Sequence, residues 1–347
     1  MKIGILGTGS ISSLHASACN NIGFPIVAVC DINKDNFLKR KDLYGEAVFY
    51  DDMGEFLADD NIEAVIVCTP NRTHYNVVKR VMQSGKHIFG EKTFTDNLED
   101  SQKLAQLLEG YSANFQIGYM KRFFPATQKA VELLPQIGDV ITAYIRSYQT
   151  GGWDADIYNS DAWKPLDGQP SRINKSMGAG MLNMAGSHVL DLMHLFFGVP
   201  ESVYTLNWKP ADYDVELHSN SIFKMETGVC VHFEAALAPY SSTGIHKDGW
   251  DEKIEINGTK GKLELYYVTW NKPMDNAPLL KFYSEETKSW TTFTFPKTNP
   301  FEKQLLSFEK DCINGEKSTP GSNEGLVVDK LISGCYRSYE SKNAVIL

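Results

Sequence analysis

The first twelve residues restrict the fold more than any other stretch. Ile3 to Leu6 is a short apolar run, Gly7-Thr8-Gly9-Ser10-Ile11-Ser12 follows it directly, and a helical spacing of apolar residues takes over from His15 to Asn21. The pattern then repeats. Candidate strands at Ile26 to Cys30, Ala47 to Tyr50, Ala64 to Cys68, His87 to Gly90 and Phe115 to Gly118 alternate with helix-length stretches at Lys34 to Leu43, Thr73 to Ser84 and Leu98 to Leu108. Strand, helix, strand repetition predicts an α/β fold in which a parallel sheet is wrapped by helices.

After about residue 120 the texture changes to strands rich in Thr, Tyr, Phe and Trp, with Gly and Asn at the turns. Val140 to Tyr148, Val203 to Trp208, Ser219 to Lys224, Cys230 to Ala236, Glu252 to Ile256, Lys262 to Tyr267, Leu280 to Tyr283 and Trp290 to Phe295 predict one mostly antiparallel sheet. Helices at Gly186 to Phe197 and Phe301 to Ile313 are expected to cover one face of it. A third helix, Glu324 to Ser341, is expected to pack back onto the bulk of the protein. A chain of 347 residues exceeds what one core usually sustains, so the expected domains are 1–120 and 121–347.

The glycine turn is where a dinucleotide would sit. Gly7 permits a tight turn, Gly9 lets the backbone approach a pyrophosphate, and the amides of Ser10 and Ile11 open the following helix. Asp31, at the end of the second strand, can accept hydrogen bonds from ribose hydroxyls and would repel a 2′-phosphate, which favours NAD over NADP. Arg40 leaves NADP as the minority option, and Asp31 can also cap a helix beginning at Lys34. Thr69-Pro70-Asn71 emerges after the fourth strand at the carboxyl edge of the sheet, where ligands of such sheets bind. His74 opens the next helix, either as an ordinary polar helix-start residue or as a ribose contact. Glu91 and Lys92 follow the fifth strand at the same edge, where a lysine can stabilise a developing alkoxide or enter a proton relay.

In the second domain a stretch rich in small residues, Gly178 to Gly186, precedes a helix whose first turn carries His188. The positive helix end favours the neutral imidazole that a general base needs, and Asp191, one turn on, can orient it. His188 and His194 lie on different helix faces, so no metal is expected there. Candidate substrate contacts, from location, are Tyr119 and Arg122 after the sixth strand, Trp163 and Lys164 in the long segment Gly151 to Gly178, His188 itself, and Tyr240, His246 and Asp248 before Trp250.

A formal net charge of -9 argues against a nucleic-acid surface. The six cysteines lack CxxC pairs and mostly sit in apolar runs, which reads as buried thiols in a reducing compartment. Lys2 leads straight into a strand, so no signal peptide is expected, and the apolar stretch Val189 to Val199 is short and carries Asp191 and His194. A cytoplasmic protein with no membrane partner is the expectation.

Taken together, Lys2 to Ala16, Ala64 to Asn71, Gly85 to Thr93, Gly118 to Ala126 and Gly178 to Asp191 resemble the glucose-fructose oxidoreductase, inositol dehydrogenase and rhizopine-catabolism (Gfo/Idh/MocA) family, and Gly249 to Gly261 also looks familial. The resemblance implies an N-terminal Rossmann domain and a C-terminal α+β domain whose large open sheet serves homodimer or homotetramer contacts. It implies NAD-dependent oxidation of a secondary hydroxyl on a sugar or cyclitol. The family's catalytic lysine, in a Glu-Lys-Pro triplet, matches Lys92, and its histidine matches His188. Two positions depart from the pattern: the proline after the lysine is Thr93, which argues for a differently aimed Lys92, and the aspartate four residues before the histidine falls on Met184, where Asn183 or Asp191 are the nearest substitutes. Two other functions stay open beside the dehydrogenase, namely a glycosidase working by transient oxidation and elimination, and a non-catalytic NAD- and sugar-binding regulator.

Overall fold

Two apolar tetrapeptides, β1 (Ile3–Leu6) and β4 (Ala64–Val67), are buried at every position and pair in parallel at the centre of a sheet. Strands without a polar face can exist only where helices cover both sides, and the intervening segments supply those helices. In chain order the elements are β1, α1 (Ser10–Ile22), β2 (Ile26–Cys30), α2 (Lys34–Leu38), α3 (Lys41–Tyr44), β3 (Val48–Tyr50), α4 (Met53–Ala58), β4, α5 (His74–Gln83), β5 (His87–Gly90), α6 (Leu98–Glu109) and β6 (Phe115–Ile117). The six parallel strands lie in the order β3-β2-β1-β4-β5-β6, so the direction of winding reverses between β1 and β4. This is the Rossmann arrangement, and the reversal point is where such sheets open a crevice at the carboxyl ends of their strands.

The structure, a computed structural model, describes residues 1–149, 180–209, 214–237, 242–270 and 272–347. They form two compact units, Met1–Met120 with Asn299–Asp329, and Lys121–Thr298 with Lys330–Leu347. In the first unit the helix starts follow local chemistry. Asn33, not Asp31, caps α2 by accepting from the Asp35 amide, Asp52 caps α4 through the amides of Gly54 and Glu55, and Asn97 caps α6 through the amide of Asp100.

Helix α9 (Pro300–Asn314) belongs to this first unit and does not cover the second sheet as its position in the sequence suggested. The reason is its aromatic face. Phe301 meets the His15 ring edge-on at 5.4 Å and Phe308 meets Phe89 at 5.7 Å, so the helix closes over the same core as α1 and β5.

The second unit is built on α7 (Pro125–Leu133), β7 (Val140–Gln149), α8 (Ser187–Phe197), β8 (Pro200–Trp208), β9 (His218–Met225), β10 (Cys230–Leu237), β11 (Trp250–Gly258), β12 (Gly261–Tyr266), β13 (Leu279–Ser284), β14 (Ser289–Thr294) and the terminal β15 (Val345–Ile346). Among the described residues these strands make a nine-stranded sheet, ordered β14-β13-β12-β11-β7-β10-β9-β8-β15, in which β7 and β10 run parallel and the other neighbours antiparallel. Burial alternates along β7, β9 and β12, the mark of a sheet with one covered and one open face. Helices α7 and α8 cover it together with the second half of α10 (Ser322–Ser341), where Ser338 Oγ accepts from the Thr205 amide at 2.9 Å. No described helix is long and apolar enough to cross a membrane. Of the six thiols, Cys230 is exposed and Cys312 half-buried, while Cys19, Cys30, Cys68 and Cys335 are buried as expected.

Asp329, in the first half of α10, is 6% exposed and accepts from the Thr95 amide at 2.8 Å and the Ser101 hydroxyl at 2.7 Å, both on Oδ2, while Oδ1 is buried with no hydrogen-bond partner among the described residues. Burial pushes its carboxyl up to about 7, against the pull of those two donors and of the Phe94 backbone. A raised carboxyl keeps its proton in the folded state after the unfolded chain has lost it. Stability from this group is therefore full below about pH 4 and declines as pH rises to 7, by at most about 4 kcal/mol. Asp329→Asn retains an acceptor for both donors and cannot ionise. The variant should melt roughly 5 °C above the parent at pH 8, about 2 °C above it at pH 5 and within error of it at pH 3.5, as read by thermal denaturation at the three pH values.

Candidate active site

At the carboxyl end of β1 the chain turns through Gly7 at a φ of 93°, and a Cβ built there would lie 2.9 Å from the main-chain carbonyl of Cys68. Only glycine fits between the ends of β1 and β4. Gly9 differs: it precedes α1 in extended conformation, and a Cβ there would meet no atom of the described residues within 4 Å. The first turn of α1, with Ser10 and Ile11, has neither a capping side chain nor an acidic residue. Uncapped amides facing open space beside a glycine suit an anionic pyrophosphate. Ser12, where the third glycine of the pattern would be, is fully buried, donating to the Gly9 carbonyl at 2.5 Å and lying 2.7 Å from the Tyr44 hydroxyl. It serves as a brace that glycine could not provide.

Asp31 is fixed by the same turn. Its Oδ2 accepts from both the amide and the hydroxyl of Thr8 at 2.7 Å, and its Oδ1 accepts from the Asn33 amide at 2.8 Å. The carboxylate is thereby held in place at the end of β2. Arg40 reaches the other side of the turn, donating to Ser13 Oγ at 3.0 Å and to the Thr8 carbonyl at 3.2 Å.

The loops after β4 and β5 are tied to each other. His74 is buried, with Nδ1 2.8 Å from the Thr93 carbonyl and Nε2 2.8 Å from the Thr69 carbonyl. The ring thus bridges the two loops, with a carbonyl oxygen beside each nitrogen. Burial pushes its pKa down, opposed by those carbonyls. Pro70 and Asn71 begin the short turn into α5, and Asn71 Nδ2 donates to Thr93 Oγ1 at 3.1 Å.

Glu91 is buried beside them, with Oε1 2.6 Å from His15 Nε2 and Oε2 accepting the Lys92 amide at 3.2 Å. Lys92 is half-buried, and burial holds its ammonium pKa below the ordinary value while the Glu91 charge opposes that shift. The Lys92–Thr93 peptide is cis, the geometry that the missing proline argued against.

In the second unit His188 is half-buried, but it is not at a bare helix end. Helical backbone begins before it: Leu182–Gly186 forms a wide π turn closed by Gly186 N–H to the Met181 carbonyl at 2.7 Å, and α8 continues from Ser187 without a break. The expected effect of the positive helix end fades within the first turn, which His188 has already passed. A π turn beside a candidate base is common at functional sites.

Arg122, expected to hold substrate, instead donates from Nε and Nη2 to both oxygens of Asp191 at 2.7 to 3.1 Å. Both side chains are buried, and Asp191 is held by this fork. Tyr119, in the first unit, is fully buried. His246 and Asp248 tie their loop to the segment before β13, His246 Nε2 lying 3.0 Å from the Ala277 carbonyl and Asp248 accepting from Asn276, as well as from the Trp250 amide, at 3.2 Å. Trp163, Lys164 and Tyr240 lie outside the described residues.

In the second unit, sequence reasoning missed two buried carboxylates. Glu252 pairs with the Lys121 ammonium and accepts from Trp250 Nε1 and Ser147 Oγ at 2.6 Å, while the rings of Tyr267 and Trp250 stand 5.2 and 5.5 Å from that ammonium. Glu216 accepts from the Leu182 amide at 2.8 Å and the Tyr336 hydroxyl at 3.0 Å, anchoring the start of the π turn. The alternation of apolar residues around Glu252 in a strand was the available signal. Glu216, in an irregular stretch, gave none.

Comparison with known proteins fits this geometry. Residues 1–119 match the oxidoreductase family with an NAD-binding Rossmann fold, GFO_IDH_MocA, and residues 135–264 match the GFO/IDH/MocA C-terminal domain. The chain belongs to this family. Myo-inositol 2-dehydrogenase of Thermotoga maritima is 31% identical across 100% of the chain and 98% of its own length. D-xylose 1-dehydrogenase (NADP(+)) 2 of Haloferax volcanii is 22% identical over the whole of both chains. Among solved structures, levoglucosan dehydrogenase in complex with NADH and levoglucosan superposes with a TM-score of 0.83 at 17% identity, covering 100% of this chain and 99% of that one, and so shares the fold. Gfo/Idh/MocA relatives thus include dehydrogenases of sugars and cyclitols, and their names carry both nicotinamide cofactors.

The two glycines of the turn make a discriminating pair. Gly7→Ala should lower the melting temperature by several degrees, because its Cβ collides with main chain at a positive φ. Gly9→Ala should leave melting within about 1 °C and weaken NAD+ binding at least tenfold in a fluorescence titration, since that Cβ meets no described protein atom and would stand where a pyrophosphate is expected.

Proposed function

We propose that the protein is an NAD-dependent dehydrogenase, acting in the reducing cytoplasm, that oxidises a secondary hydroxyl of a sugar, sugar derivative or cyclitol to the ketone. The observation that carries this reading is Lys92, a half-buried ammonium at the carboxyl edge of the first sheet whose pKa is held down by burial. Gly7, Gly9, Ser10 and Ile11 would hold the pyrophosphate, Asp31 the ribose of the adenosine, and Thr69, Pro70, Asn71 and Glu91 would border the rest of the cofactor. The negative charge of Asp31 disfavours a 2′-phosphate, which supports NAD over NADP. NAD+ supplies the acceptor for the hydride that leaves the carbinol carbon.

The Lys92 ammonium donates a hydrogen bond to the substrate oxygen and stabilises the negative charge that develops there. His188 takes the hydroxyl proton, leaving the ketone. Asp191, gripped by Arg122, fixes the helix that carries His188. Purified protein with NAD+ and a panel of polyols should produce NADH absorbance at 340 nm. His188→Ala should lower turnover roughly 100-fold or more, and Lys92→Ala comparably. Tight NAD+ binding with no turnover on any polyol would favour the regulator reading instead.

We also infer that a second copy of the chain covers the open face of the sheet, giving a homodimer or homotetramer. In register across four neighbouring strands lie Tyr144, His232, Ile222 and Tyr204, followed by Arg146, Glu234, Asn220 and Leu206. Tyr204, Ile222, Leu206 and Tyr144 are exposed by 39, 43, 59 and 47%. The first row is largely apolar, and beside it Arg146 pairs with Glu234 of its own chain at 3.4 Å, so a second copy related by a two-fold rotation could bury this face without stranding a charge. Light scattering after size exclusion should give at least twice the chain mass, and Ile222→Glu with Leu206→Glu should give the monomer. A monomeric parent would remove this inference.

A further inference from the structure

Thr93 stands where the family resemblance calls for proline, and its surroundings show what a threonine can do there that a proline cannot. The residue is 2% exposed. Its hydroxyl accepts from Asn71 Nδ2 at 3.1 Å and donates to the Thr95 carbonyl at 2.9 Å. Its own carbonyl lies 2.8 Å from His74 Nδ1. On the opposite side of Lys92, the Lys92 amide is bonded to Glu91, which is itself held by His15. The backbone on both sides of the lysine is therefore pinned, and a proline would lack the hydroxyl that makes two of these contacts.

We propose that Thr93 is the positioning residue for Lys92, its hydroxyl fastening the lysine turn to Asn71 so that the loop expected to border the cofactor and the aim of the lysine are set together. This rests on the dehydrogenase reading only for the role of Lys92, not for the tether itself. Thr93→Val keeps the shape of the side chain and deletes the hydroxyl, leaving Asn71 Nδ2 and the Thr95 carbonyl without their partner. The turn can then swing toward water, where an ammonium returns to its ordinary pKa near 10.4. Thr93→Ser keeps the hydroxyl.

The test reads Lys92 without any turnover. The intact protein is labelled with trinitrobenzenesulfonate from pH 6 to 11, and peptide mapping follows the extent of labelling at Lys92. Thr93→Val should raise the labelling midpoint by half a pH unit or more, and Thr93→Ser should keep it at the parent's value. Asn71→Ala, which removes the donor on the other side and leaves the Thr93 side chain whole, should raise the midpoint as well. Because both act on one hydrogen bond, the double variant should shift it no further than Thr93→Val alone. If Thr93→Val fails to fold, Asn71→Ala alone decides. An unchanged midpoint in the variants that fold, or fully additive shifts, overturns the tether. A parent inactive on every polyol would remove the dehydrogenase reading and leave these labelling outcomes to stand or fall by themselves.

Discussion

The first unit depends on one close approach of main chain to main chain. Where β1 ends, Gly7 lies against the carbonyl of Cys68, so the turn that begins α1 and the loop that leaves β4 share a single narrow space. That contact is possible because β1 and β4 are adjacent while their helices pass on opposite sides of the sheet. The turn places the Thr8 amide and hydroxyl on Asp31, and the loop places the Thr69 carbonyl on His74. His74 in turn reaches Thr93, next to Lys92. A line of short contacts thus runs from the first glycine to the lysine, each link depending on the one before it.

The second unit depends on buried charge rather than on main-chain contact. Lys121 with Glu252, and Arg122 with Asp191, place two consecutive basic residues of one short turn into two separate carboxylate sites. Each ion is desolvated and so needs its partner, since removing one member of a buried pair typically costs about 3–5 kcal/mol. The pairs fix the start of α7 against β11 on one side and against α8 on the other. They do structurally what Arg122 was expected to do for a ligand.

The fold was legible in the sequence because it is written in periodicity. The continuous apolar runs at β1 and β4, the alternation along β9 and β12, and the glycines after β1 each follow from a local rule about what a covered strand, a half-covered strand or a tight turn requires. Residues that depend on local rules, such as Gly7, Gly9 and the neighbours of Lys92, stand where the sequence put them. For residues read from type and location alone, the structure supplies partners that the sequence did not name: His74 faces two carbonyls, and Arg122 faces Asp191. A polar side chain takes the partner that folding brings to it, and that partner is set by elements distant in the chain.

What the sequence by itself determined is therefore the parallel sheet with its glycine turn, the mostly antiparallel sheet that follows, and the acidic and basic residues at the carboxyl ends of the strands. What only the tertiary structure decided is how those groups are shared. It assigned α9 to the first core through Phe301 and Phe308, placed His188 inside continuous helix rather than at its mouth, and bonded the Thr93 hydroxyl to Asn71. The physical reason is the same in each case. Secondary structure answers to neighbours within a few positions, whereas burial and hydrogen bonding answer to neighbours in space.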